Sequence, residues 1–140
     1  RHSRQTALGW FIHQALDDEE ITIFDGRQVR DYTYIDDAIE AFILAGASDA
    51  ANGEVFNLGG TAPVNLIELV DTLVRAAGSG RYRIVPFPEE RRRIDIGDFY
   101  ADYAKIASAL GWRPAITLED GLARTTAYYR KHWDQYWSRP

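Results

Sequence analysis

The sequence predicts a small mixed α/β fold, and three observations support this class. Short runs rich in β-branched and aromatic residues, such as ITIF (21–24) and YRIVPF (82–87), are typical of strands. The segments between these runs place apolar residues at helical spacing. The chain has 140 residues, 46% of them hydrophobic and 26% charged, which suits a single globular domain spanning residues 1–140.

The first half of the chain predicts a helix, two strands and a second helix. Residues 4–16 form the first helix, ITIF the first strand, an Asp-Gly turn follows, and QVRDYTYI (28–35) forms the second strand. The second helix is expected to begin near Asp36 or Asp37, because Asp37 and Glu40 have the spacing of a capping box. Its buried stripe is predicted to comprise Ile39, Phe42 and Ile43.

The second half predicts a strand, a helix, a strand and two helices. EVFNL (54–58) is the third strand, and the loop GGTAPV after it is flexible enough for a close backbone approach. Asn65 and Glu68 form a capping box for a helix that Gly78 ends. YRIVPF is the fourth strand, and a short helix runs from about Asp102 to Leu110. The last helix follows Thr117 and carries aromatic residues that either pack onto the domain or contact a missing segment or another chain.

The composition argues against several classes of protein. The net charge of −5, from 16 basic and 21 acidic residues, disfavours a nucleic-acid or membrane-surface binder. No apolar run approaches the roughly 20 residues of a membrane span. Because cysteine is absent, there are no disulfides or thiolate sites, and a cytoplasmic location is expected. Because methionine is also absent, we expect the chain to be a fragment or processed product of a longer protein.

The patterns that usually mark catalysis or cofactor binding are missing. The eleven glycines include no G-x-G-x-x-G spacing, so no dinucleotide pyrophosphate site of that type is predicted. The three histidines are far apart in sequence, and no G-x-S-x-G motif is present. We therefore expect neither a metal site nor a catalytic residue, and a small hydrolase is the least favoured class.

Arginines and one aspartate are the candidate ligand-binding residues. By itself Arg30 fits a strand residue paired with an aspartate, and the run 91–93 fits a solvated charge cluster after Glu89 and Glu90. The alternative is that guanidinium groups from both segments converge on a diphosphate. Asp95 lies between two isoleucines with no capping role, so it is the acidic residue expected to contact a ligand hydroxyl.

An ordered set of segments resembles a known family. DGRQVRDYTYIDDAIEAFILA, GEVFNLGG, LIELVDTLV, RRIDIGDFYADYAKIASALGW and TLEDGLARTTAYYR are similar to the C-terminal part of extended short-chain dehydrogenases/reductases, specifically NAD-dependent sugar-nucleotide epimerases/dehydratases of the UDP-glucose 4-epimerase type. The resemblance implies a small mixed-sheet substrate-binding subdomain that lacks the Rossmann core. It implies NAD or NADP in the intact enzyme and none bound by this chain alone. The catalytic Tyr-x-x-x-Lys pair is absent, since Lys105 and Lys131 follow alanines at that spacing.

The same resemblance implies roles for individual residues. Arg30 corresponds to a diphosphate contact, Arg92 to a second one, Asp95 to a ribose-hydroxyl contact and Phe99 to a residue that shapes the sugar pocket. The backbone around Ile23 corresponds to a strand against the nucleotide base. Because Arg92–Arg93–Ile94–Asp95 replaces the family's R-P-G-D, Arg93 is an alternative to Arg92.

The implied partners are a nucleotide-diphosphate sugar, a missing N-terminal Rossmann domain and, in a homo-oligomer, a second copy of the chain. The alternative function is a catalytically inert module that binds ligand or self-associates.

Overall fold

The computed structural model describes residues 6–87 and 96–137, which form a mixed α/β fold as predicted. The helices are α1 (Ala7–Leu16), α2 (Ile35–Gly46), α3 (Leu66–Ala77), α4 (Ala104–Leu110), α5 (Leu118–Lys131) and α6 (Trp133–Tyr136), with a 3₁₀ turn at Asp49–Ala51. The strands are β1 (Glu20–Phe24), β2 (Val29–Arg30), β3 (Val64–Asn65) and β4 (Arg81–Val85).

The chain divides into two compact units. Unit 1 comprises Arg1–Gln28, Asn65–Asp95 and Glu119–Pro140, and unit 2 comprises Val29–Val64 and Ile96–Leu118. Unit 2 is thus built from two segments, each inserted between segments of unit 1 in the sequence. The single domain expected from length and composition stays a prediction.

Unit 1 is organised around the parallel pairing of β1 with β4. The register places Ile21 opposite Tyr82 and Ile23 opposite Ile84. Helices α1 and α3 contact each other, and they contact β1 and β4 respectively. The buried apolar side chains of this unit are Ile12, Ala15, Ile21, Ile23, Leu69, Val70, Leu73, Ala77, Leu122 and Trp137. Their burial holds the two strands and the helices together.

The ends of helix α3 follow the sequence prediction. The Glu68 amide donates to Asn65 Oδ1 at 2.9 Å, and the Asn65 amide donates to Glu68 Oε2 at 3.2 Å. The predicted capping box is therefore confirmed. Gly78 ends the helix with a φ of 65°, a left-handed conformation in which glycine has no Cβ clash.

Aromatic residues near the C-terminus pack onto α1 within unit 1. The His13 ring stacks on Trp10 and on Trp133, with ring centroids 5.3 and 5.2 Å apart. Trp137 meets the same ring edge-on and is buried, whereas Tyr128 remains 47% exposed. Packing onto the domain thus accounts for Trp137, and part of the aromatic surface stays open to solvent.

In unit 2, Asp37 has a different role from the predicted one. Helix α2 begins at Ile35 after Tyr34, and no side chain caps its N-terminus. The Asp37 carboxylate is buried and accepts hydrogen bonds from the amides of Ala115 (3.2 Å) and Ile116 (3.0 Å). The predicted capping box of Asp37 is wrong because this carboxylate is used by a distant loop.

A small apolar core lies behind α2. Trp112 is buried in it, and its indole Nε1 donates to the Asp37 carbonyl at 2.9 Å. Ala41 and Ile106 complete the buried centre, and partly buried residues surround it: Leu44, Phe56, Leu58, Tyr103 and Leu110. The core therefore ties α2 to α4 and to the segment after the 3₁₀ turn.

The predicted apolar stripe of α2 is on the surface of this chain. Ile39 is 48% exposed, Phe42 74% and Ile43 64%, so the prediction that they are buried is wrong here. The predicted strand 54–58 does not form either, and the predicted strand 28–35 is reduced to β2. Both absences concern the described part of the chain. A strand requires a neighbouring strand, and the sequence pattern does not show whether one is available.

Candidate functional site

Strand β2 is joined to the segment 97–99 in unit 2. The Phe99 amide donates to the Val29 carbonyl at 3.0 Å, and the Val29 amide donates to Asp98 Oδ1 at 2.8 Å. Arg30 and Phe99 are partners in an isolated parallel β-bridge. Strand β2 and the segment 97–99, which are distant in the sequence, thus lie side by side, and we call this place the Arg30 edge.

The Arg30 guanidinium is fixed at this edge through one of its nitrogens. Its Nη1 donates to the Val29 carbonyl at 2.8 Å and to the Gly97 carbonyl. Gly97 has a φ of 66°, which a side chain at this position would strain. A guanidinium carries five N–H donors, and the hydrogen bonds of Arg30 to described residues use Nη1 alone.

Asp31, the next residue, joins three segments of unit 2. Its Oδ2 accepts from the Gly60 amide at 3.3 Å and from the Ala101 amide at 3.1 Å. A Cβ on Gly59 would lie 2.9 Å from the same oxygen, and one on Gly60 would lie 2.4 Å from the Tyr32 carbonyl oxygen. The glycine pair therefore allows a close approach, as the sequence suggested, but the approach is to the protein's own β2 segment.

Burial and the charges of Arg30 and Asp31 affect the pKa of Tyr32. Burial raises the pKa of the Tyr32 hydroxyl, and this is the largest effect. The positive charge of Arg30 acts in the opposite direction, and the negative charge of Asp31 adds to the rise of the pKa.

The candidate residues from the sequence fall into three groups. Arg30 and Phe99 are brought together by the bridge. Ile23 lies in β1 of unit 1, with its side chain fully buried and its strand paired with β4. Arg92, Arg93 and Asp95 lie outside the described residues. Asp31 was not singled out by sequence reasoning, although its place beside Arg30 was the available signal.

Two other kinds of site were searched for in the described ranges, 6–87 and 96–137. No group of three or more histidine, aspartate or glutamate side chains there could hold a metal ion. No helix in these ranges has the length and apolar character needed to cross a bilayer.

Comparisons with known proteins confirm the predicted resemblance to the C-terminal part of extended short-chain dehydrogenases/reductases of the sugar-nucleotide epimerase/dehydratase type. Residues 8–125 match the family described as GDP-mannose 4,6 dehydratase, and the chain belongs to this family. A dTDP-glucose 4,6-dehydratase of Actinoplanes sp. is 36% identical over 121 residues, covering 86% of this chain and 37% of that protein.

Solved structures give the same answer. A UDP-glucose 4-epimerase of Thermotoga maritima with UDP-glucose superposes with a TM-score of 0.75 at 34% identity, covering 91% of this chain and 40% of that one. A dTDP-glucose 4,6-dehydratase of Streptomyces venezuelae with NAD bound gives 0.79 at 28% identity, covering 96% and 41%. The chain thus spans about two fifths of the length of these relatives and resembles their C-terminal part.

Proposed function

We propose that this chain is the nucleotide-sugar-binding portion of an NAD-dependent epimerase or dehydratase that acts on nucleotide-diphosphate hexoses. The observation that carries the proposal is the Arg30 edge, where the carbonyls of Val29 and Gly97 hold Nη1 and, among the described residues, Nε and Nη2 stay available to an anion. A diphosphate is the anion that such a group binds well, through charge-assisted hydrogen bonds.

The remaining roles follow from the family. Arg92 or Arg93 is the second diphosphate contact, and Asp95 binds a ribose hydroxyl. These residues precede Gly97, whose carbonyl accepts from Arg30, by only a few positions. Phe99, the bridge partner of Arg30, is 62% exposed and shapes the sugar pocket.

The backbone around Ile23 is proposed to lie against the base. Within the described residues β1 pairs with a strand on one edge, the β4 edge, so its other edge can approach a base.

Among the described residues, the glycine pair does not fit a dinucleotide cofactor, whether NAD or NADP. The adjacent pair Gly59–Gly60 is the natural candidate for a phosphate-binding turn, but Asp31 and the Tyr32 carbonyl occupy the space that the missing side chains leave. We therefore assign no cofactor contact to this chain. Its contribution to the intact enzyme is binding energy and orientation of the substrate.

Calorimetric titration with UDP, UDP-glucose and dTDP-glucose tests the proposal. We expect the purified chain to bind at least one of them, and Arg30→Ala to weaken binding by at least about tenfold, because a charge-assisted contact is lost. Arg92→Ala is expected to act in the same direction. Arg27→Ala is the matched control, since this arginine is exposed and pairs with Asp25. Absence of binding, or equal affinity after Arg30→Ala and Arg27→Ala, contradicts the proposal.

We also propose that the isolated chain has no turnover, because the Tyr-x-x-x-Lys pair is absent from its sequence. Incubation with NAD and UDP-glucose should leave the sugar unchanged. Detection of UDP-galactose in that mixture would contradict this expectation.

A second candidate function rests on the apolar face of α2, formed by Ile35, Ile39, Phe42 and Ile43. An inert module that self-associates would cover this face with a second copy, whereas the fragment hypothesis covers it with an N-terminal Rossmann domain. Sedimentation equilibrium distinguishes the two. A tight dimer that Phe42→Glu dissociates, together with no nucleotide binding, would favour self-association.

A further inference from the structure

Asp31 accepts two hydrogen bonds from backbone amides that lie outside the helices and strands. One oxygen, Oδ2, accepts from the amides of Gly60 and Ala101, which belong to two segments distant from β2 in the sequence. Gly59 approaches the same oxygen so closely that a Cβ there would lie at 2.9 Å. Gly59 and the amides of Gly60 and Ala101 therefore all lie close to this one oxygen atom.

The segment 97–101 is attached to β2 along its length. The Gly97 carbonyl accepts from Arg30, Asp98 accepts from the Val29 amide, and the Phe99 amide donates to Val29. The Ala101 amide on Asp31 is the last of these attachments. If that attachment is lost, the segment is held only through Val29 and Arg30, and the Gly97 carbonyl is less firmly placed for the Arg30 guanidinium.

We propose that Asp31 is a positioning residue for the anion site: it holds segment 97–101 and the Gly59–Gly60 pair on β2, and thereby sets the direction of the Arg30 guanidinium. This inference rests on the proposed function, because Arg30 is taken as the diphosphate contact. Asp31 touches neither ligand nor reacting atoms in this proposal, so it acts through Arg30.

The two conservative variants of Asp31 separate geometry from charge. Asp31→Asn keeps an oxygen at the same reach and can still accept from both amides, but it removes the negative charge. Asp31→Glu keeps the charge and adds a methylene group, so its oxygens cannot occupy the same point between Gly60 and Ala101. A positioning role requires the oxygen, whereas an electrostatic role requires the charge.

The experiment titrates wild type, Asp31→Asn and Asp31→Glu with UDP and with inorganic pyrophosphate. We expect Asp31→Asn to bind both within about twofold of wild type, and Asp31→Glu to bind about tenfold more weakly. Amide hydrogen exchange at Gly60 and Ala101 should be faster in Asp31→Glu and unchanged in Asp31→Asn. Asp49→Asn and Asp49→Glu are matched controls, since Asp49 is exposed and bonds to the Asn52 side chain.

The outcomes distinguish this inference from the proposed function. If wild type binds and Arg30→Ala abolishes binding, but Asp31→Glu binds normally, the positioning role alone is overturned. Weak binding by Asp31→Asn together with normal binding by Asp31→Glu also overturns the positioning role, because the negative charge would then be what supports binding. If wild type binds neither UDP nor pyrophosphate, both proposals fail.

Discussion

Arg30 and Phe99 face each other across a parallel β-bridge, although they come from distant parts of the sequence. The contact places a guanidinium and a 62% exposed phenyl ring at neighbouring backbone positions. An anion held by the first and a sugar held by the second would be adjacent groups of one ligand, which is the arrangement of a nucleotide-diphosphate sugar.

Phe99→Ala is therefore expected to weaken binding of UDP-glucose more than binding of UDP. The phenyl ring can contact the sugar, whereas UDP has no group at that position. We expect a loss of about threefold to tenfold for UDP-glucose and less than twofold for UDP, measured by calorimetry. Equal losses for both ligands would show that Phe99 acts on the bridge and not on the sugar.

Asp37→Ala is expected to lower the free energy of unfolding by about 3 kcal/mol, because two amides lose a charged acceptor in a buried place. Urea denaturation followed by tryptophan fluorescence measures this change. Glu40→Ala, on the same helix and exposed, is the control and should shift stability by about 0.5 kcal/mol or less. Similar values for both variants would contradict the structural role of Asp37.

Two glycine-to-alanine changes should have opposite signs. Gly60→Ala places a Cβ 2.4 Å from the Tyr32 carbonyl oxygen, so the backbone must shift, at a cost of about 3 kcal/mol. Gly46→Ala puts a Cβ into open space within α2 and should stabilise the protein by about 0.5 kcal/mol. Thermal and urea denaturation test both, and a neutral Gly60→Ala would refute the close approach.

Tyr32 predicts a pH dependence in the alkaline range. Because burial raises its pKa in the folded state, the folded protein keeps the phenol proton at pH values where the unfolded chain loses it. This contribution is complete below the unfolded pKa of about 10 and is lost as the pH rises through the folded pKa. Between about pH 9 and about pH 11, the stability of Tyr32→Phe should decrease less than that of wild type. Parallel curves for the two proteins would contradict the expectation.

The sequence predicted well those features that local interactions determine. The Asn65–Glu68 capping box, the glycine end of α3 and the strand at 21–24 all depend on residues within one turn or one short run, and the structure confirms them. The mixed α/β class followed from the same local patterns and is also confirmed.

The features that failed depend on partners distant in the sequence. Asp37 and Glu40 have the right spacing for a cap, but amides near residue 115 compete for the carboxylate. Residues 54–58 and the stripe of α2 have suitable compositions for a strand and a buried face, yet a pattern cannot specify what lies opposite. For the same reason, the sequence did not predict the β-bridge between Arg30 and Phe99 or the two hydrogen bonds that Asp31 accepts from backbone amides.

The parallel register of β1 and β4 has a consequence for biosynthesis. Pairing Glu20 with Arg81 closes a loop of roughly 60 residues, so all of that stretch must leave the ribosome before the first hydrogen bond of this sheet can form. Until then β1 lacks its partner strand, and a nascent chain stalled before residue 81 would expose the isoleucines of β1 to chaperones.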